Sequence, residues 1–108
     1  MQTFHITDIL GNQIRLTDER IGHIVNSHNE MTGRIHLVVR TVEDPDMVRI
    51  DPGSSSIHNY FRRLEGPGST VHVRVAVVFD KDDNFVVTAH LIDRDRLMRR
   101  GELLWQRT

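Results

Sequence analysis

The chain has 108 residues, of which 38% are hydrophobic and 27% charged, a mix that argues against disorder and predicts a single domain over residues 1–108. Cysteine is absent, which excludes a disulfide scaffold, a thiol nucleophile and any Cys-based metal site. Net charge is −1, so no global basic field draws polyanions to the surface. The charge is uneven, however: residues 1–53 carry five Arg against eight acids, and residues 54–108 carry eight Arg and one Lys against seven.

The longest apolar runs, Val75–Phe79 and Leu37–Val39, are far short of the roughly 18 residues a membrane helix needs. The opening MQTFHITD has no basic segment followed by an apolar one, which predicts no secretory signal and a soluble, cytoplasmic protein.

Thr3–Thr7 reads as a short strand, and Gly11-Asn12 turns it into a second, Gln13–Leu16. Thr17 is a helix N-cap followed by the acids Asp18 and Glu19. Ile21, Ile24, Val25 and His28 then follow on one helical stripe, with Asn29 or Gly33 as the stop. A second helix runs from Arg34 to Glu43, with Ile35, Val38, Val39 and Val42 on one face, and Asp44-Pro45 ends it.

After Pro45 the periodicity becomes that of strands: Met47–Ile50, Ile57–Leu64, Thr70–Phe79 and Asn84–Ile92. Arg94–Arg100 suggests a short last helix, after which Leu103, Leu104 and Trp105 pack back. This order predicts an α+β fold, with two N-terminal helices packed on an antiparallel sheet of four or more strands.

Strand parity then sorts the polar residues. A loop of three or five residues after Phe79 puts Val71, Val73, Val75 and Val77 on one face with Phe85, Val87, Ala89 and Leu91, whereas a loop of two or four sets Thr88 and His90 among the valines. The apolar match selects the first, and the opposite face then collects His72, Arg74, Thr88 and His90. Either His58/Tyr60/Arg62 or Asn59/Phe61/Arg63 joins them, and parity leaves both open.

Such a face is either a solvated sheet surface or an anion site, with Arg on phosphate and His moving protons. His23 and His28 point about 140° apart if both are helical, and share a pocket only if the helix ends near Asn26. His5, His36 and His58 have no evident partner and read as surface residues. His23, His28 and Glu30 offer nitrogen and oxygen ligands, but without the spacing of a recognised metal motif.

An ordered series of motifs spans residues 14–105. It runs Leu16-Thr17-Asp18-Glu19-Arg20-x-x-His23-Ile24-x-x-x-His28-x-Glu30, Val42-Glu43-Asp44-Pro45-Asp46, Tyr60-Phe61-Arg62-Arg63, Val86-Val87-Thr88-Ala89-His90-Leu91, and Arg100-Gly101-Glu102-Leu103-Leu104-Trp105. The series resembles small phage- and bacteria-associated proteins of the barnase–EndoU–colicin–RelE-like nuclease fold. The resemblance implies helices on a four-stranded antiparallel sheet and a metal-independent endoribonuclease, often the toxin of a toxin–antitoxin pair. It implies a histidine on the first helix (His23 or His28), a basic residue on a middle strand (Arg62 or Arg63) and a polar residue on the last strand (Thr88). The chain departs from the pattern at His90, where Tyr is common, and in its near lack of Lys.

The resulting expectation is RNA cleavage in which His28 or His23 acts with His90 on protons, Arg62 stabilises charge and Thr88 orients the phosphate. Arg63, Arg74 and His72 bind phosphate, and no metal or cofactor takes part. Expected partners are RNA (tRNA, mRNA or ribosome-associated), an antitoxin or immunity protein, and a second copy of the chain, with no membrane. Two other readings stay open: a non-catalytic partner- or RNA-binding domain, and a metal-dependent hydrolase using His23, His28 and Glu30.

Overall fold

The computed structural model describes residues 2–93 and 96–108, with every side chain among them except those of Arg96 and Leu97. Strands β1 (Thr3–Thr7) and β2 (Gln13–Thr17) form a hairpin whose Ile6, Ile14 and Leu16 are buried. Its turn is held by Asp8, whose Oδ1 accepts the backbone N–H groups of Leu10 and Asn12.

Thr17 caps helix α1 (Asp18–Ser27), its Oγ1 accepting the Arg20 N–H at 3.2 Å. The helix stops at Ser27, because His28 takes φ −136° and leaves the helical path. A 3-10 turn, Asn29–Met31, leads to α2 (Ile35–Glu43), which ends just ahead of Pro45. Strands β3 (Met47–Asp51), β4 (Ser54–Arg63), β5 (Val71–Asp80) and β6 (Asp83–Asp93) follow, then a 3-10 turn, Arg96–Arg99, and β7 (Leu103–Gln106). The short helix expected over Arg94–Arg100 is thus a 3-10 turn in its described part, and Arg94 and Asp95 lie outside the described residues.

All seven strands belong to one sheet, in the order β1-β2-β6-β5-β4-β3-β7. This corrects the expected architecture in two respects. The helices are not N-terminal, since a hairpin precedes them, and the sheet is mixed, because β2 runs parallel to β6 through the Arg15–Phe85 pair. The physical reason is burial: Ile6, Ile14 and Leu16 need a core that a lone hairpin cannot supply. At the other end, Leu103–Gln106 adds a ladder to β3 instead of only packing back.

The helices cover one face, α1 over β6 and α2 over β5. Ile24, Met31, Val38 and Val42 meet Val48, Tyr60, Val73, Val75, Val77, Val86 and Ala89 there, all essentially inaccessible.

The valine register holds for only part of β6. Val73 faces Leu91 and Val75 faces Ala89, but the ladder shifts between Ala76 and Val77, so that Val77 pairs with Val86. Val87 is the extra residue of a β-bulge. The hairpin closes with two residues, Lys81 and Asp82, between the Asp80–Asp83 pair. The expected loop of three or five residues is therefore corrected to two, and the bulge restores the apolar match. Val86, rather than Phe85 and Val87, lies under the helices.

Gly101 brings the crossing from β6 to β7 against β3. Its φ is +83°, and a Cβ there would stand 1.8 Å from the Ile50 carbonyl oxygen. Arg49 secures the same crossing, donating from Nε to the Met98 carbonyl and from Nη1 to the Gly101 carbonyl, both at 2.9 Å. Gly101→Ala is expected to cost well over the ~1–2 kcal/mol of a left-handed backbone alone. Gly11 also has positive φ but no atom within 4 Å of its Cβ position, so Gly11→Ala should cost only about 1–2 kcal/mol. Urea denaturation of both variants checks the ranking, and equal losses would refute it.

Candidate functional site

β2 reaches β6 only near Phe85, so the later half of β6 has no strand on that side. The end of α1 and the turn after it occupy this edge. Having left the helix, His28 sets its ring beside that of His90, with centroids 4.8 Å apart and planes tilted by 33°. The Glu30 carboxylate accepts the Leu91 backbone N–H at 3.3 Å and lies 3.8 Å from His28 Nδ1. Its own backbone N–H holds Glu30 below the usual carboxylate range, against the opposing effect of desolvation. The Leu91 N–H and the charges of His28 and His90 add to that lowering. Arg34 braces the turn by donating from Nη1 to the Glu30 carbonyl at 2.5 Å.

His90 pairs across strands with Arg74, and Thr88 pairs with Ala76 on the same face. Arg74 donates to Asn59 Oδ1 from Nε at 3.1 Å and from Nη2 at 2.8 Å, and reaches Asp51 Oδ1 at 3.5 Å. Asn59, with no exposure, donates in turn to Asp51 at 2.9 Å. Burial pushes the Asp51 carboxyl up, but the bonds from Asn59, Gly53 and Ser54 and the Arg74 charge outweigh it, and the net shift is downward.

The parity left open by the sequence is settled by the β4–β5 register, in which Asn59, Phe61 and Arg63 join the face of His72 and Arg74. Arg63 lies directly across from His72. Arg62 lies on the helix-covered face, where its Nη1 donates to the Asp44 carbonyl at 2.5 Å and carboxylate at 3.1 Å. Arg62 and Thr88 therefore do not share a face. His23 stays on α1 and turns to Glu19 at 3.8 Å, away from the direction His28 takes. Among the described residues, no three His, Asp or Glu side chains converge tightly enough to hold a metal ion.

Sequence reasoning missed two features. The first is a buried polar cluster: Tyr60 donates to Asp8 Oδ2 at 2.5 Å, and Asn12 Nδ2 to the same oxygen at 3.0 Å. Burial, reinforced by the bond to Asp8, pushes the Tyr60 hydroxyl far up. The only signal was a Tyr at an inward strand position, which needs a polar partner. The second is His58, which is no surface residue. It stacks on Phe79 at 4.0 Å, and its buried Nδ1 has no hydrogen-bond partner.

No family model matches the chain, no curated protein resembles it in sequence, and no solved structure matches its fold. No helix among the described residues is long and apolar enough to cross a membrane.

Desolvation lowers the His58 pKa, opposed by the charge of Asp8. A folded-state value below the unfolded one means that the unfolded chain binds the proton more readily. The stability contributed by His58 is complete above about pH 6.5 and falls away as pH drops from there through the folded value. The urea midpoint should decline between pH 7 and 5, and His58→Phe should flatten that decline. An unchanged slope in the variant would show that other groups control it.

Proposed function

We propose that the protein is an endoribonuclease whose His28–His90 pair cleaves RNA by acid–base transphosphoesterification. The observation that carries this is the meeting of two imidazoles, from the end of α1 and from β6, with centroids 4.8 Å apart. One ring nitrogen takes the proton of a ribose 2′-OH, and the 2′-oxygen attacks the adjacent phosphorus. The bond to the 5′-oxygen breaks, and the second imidazole protonates that oxygen. The products are a 2′,3′-cyclic phosphate and a 5′-hydroxyl, and no step calls on a metal or cofactor.

Glu30 orients His28, while Thr88 and Arg74, on the face of His90, are placed to position and neutralise the phosphate. The motif series that resembles nuclease-like toxins supports the same chemistry. On this reading the protein acts in a bacterial cytoplasm on tRNA, mRNA or ribosome-associated RNA, and an antitoxin or immunity protein restrains it.

A second reading is a non-catalytic RNA- or protein-binding domain. It is favoured by the bond from the Leu91 N–H to Glu30, which lets the same cluster serve as a cover for the strand edge.

Incubation of purified protein with total RNA and with short oligoribonucleotides separates the two. Wild type should yield cyclic-phosphate ends, insensitive to EDTA, with a bell-shaped pH profile. His28→Ala and His90→Ala should each lose about 10²–10⁴-fold in rate, with circular dichroism showing retained folding. Absence of cleavage by folded wild type, or full activity in both variants, would favour the binding domain.

A further inference from the structure

The two edges of the sheet are built differently. At one, β7 has four residues and its ladder with β3 is interrupted by a register shift, both features that blunt an edge. At the other, β1 has five residues, paired with β2 without a shift. Its sequence, Thr3-Phe4-His5-Ile6-Thr7, is rich in β-branched and aromatic residues and holds no Pro, Gly or Lys. All of these residues except Ile6 are exposed.

The hairpin decides which backbone groups of β1 face outward. Asp18 donates its N–H to the Gln2 carbonyl, and Asp8 donates its own to the Asn12 carbonyl. Even-numbered residues of β1 therefore direct their N–H and C=O groups to β2, and Thr3, His5 and Thr7 direct theirs to the open side. No strand or side chain among the described residues bonds to those outward groups.

Exposed apolar surface gathers at the same edge. Among the described residues the exposed large apolar side chains are Phe4, Ile9, Leu10 and Leu103, and the first three lie on β1 or in the turn after it. Phe4 shares the face of the buried Ile6 and Leu16, yet it is 38% exposed because the sheet stops there.

We propose that β1 is a homodimer interface, at which two copies join edge to edge as antiparallel strands about a two-fold axis at His5. A second copy fits because β1 is complementary to itself. With His5 opposite His5, Thr3 meets the second copy's Thr7, and every outward residue gains a partner through about six inter-chain hydrogen bonds. Every other two-fold register leaves at least one outward residue without a ladder partner in β1. The same register sets Phe4 against the second copy's Ile6 on the helix-covered face, an aromatic–aliphatic cross-strand pair. β1 carries no formal charge, so the pairing opposes no like charges along the strand.

Sedimentation equilibrium across a concentration series tests the state. Wild type should reach twice the 12.5 kDa of one chain. His5→Lys and His5→Glu each place like charges opposite one another and should weaken the dimer by at least about tenfold. An equimolar mixture of the two should regain it, which separates repulsion at the two-fold axis from misfolding.

Crosslinking tests the register. The chain has no cysteine, so an introduced one is unique. Under oxidised glutathione His5→Cys should form a covalent dimer, because directly opposed residues lie within disulfide reach. Thr3→Cys and Thr7→Cys should each fail alone and crosslink when mixed. A monomer at every concentration would overturn the proposal, as would a dimer indifferent to charge at position 5. A dimer that His5→Cys does not crosslink would place the interface elsewhere and overturn it too.

Discussion

Between Ala76 and Val77 the ladder of β5 with β6 steps over one residue, Val87, and that extra residue reconciles two demands. The two-residue turn at Lys81-Asp82 sets one parity for the hairpin, and the valine row requires the other along most of its length. With the bulge, Val86 and Ala89 both lie under the helices, while Thr88 and His90 face the opposite side. Without it, either Ala89 and Leu91 or Val86 would lose its place in the core. The placement of His90 opposite Arg74 therefore follows from a packing compromise several residues away.

Buried polar groups on both sides of the sheet are satisfied locally. On one, Asp8 gathers the Tyr60 hydroxyl and the donors of its own turn. On the other, Asn59 and Asp51 hold Arg74 beside His90. Each cluster joins residues far apart in sequence, and each would leave a costly unpaired group if one member were lost. The histidine pair differs in origin: it forms because α1 stops one residue short of His28, which frees that side chain to reach the sheet edge.

Local signals were legible in the sequence. Thr17 as N-cap, the Ile24 stripe, the α2 face of Val38 and Val42, and the stop at Pro45 each depend on near neighbours, and the structure has them as read. The parallel contact of β2 with β6, the ladder of β7 on β3 and the Val87 bulge depend on distant partners, and no short-range pattern encodes them. The site divides the same way. Parity grouped His72, Arg74, Thr88 and His90 on one face, but the separation of Arg62 from Arg63 required the β4–β5 register. The sequence left His28 and His23 as alternatives beside His90, and only the end of α1 at Ser27 brings the His28 ring rather than that of His23 to His90.

The ladder of β7 on β3 joins residues 47–51 to residues 103–106. A chain emerging from the ribosome forms the β3–β4 hairpin long before the strand that flanks its other side exists. In that interval the outer N–H and C=O groups of β3 are unpaired, next to the buried Val48 of the finished fold, and such an edge is a template for intermolecular pairing. The four residues of β7, fastened by Gly101 against the Ile50 backbone, thus act as a late seal. They set when the molecule becomes safe from aggregation as well as how wide its sheet is.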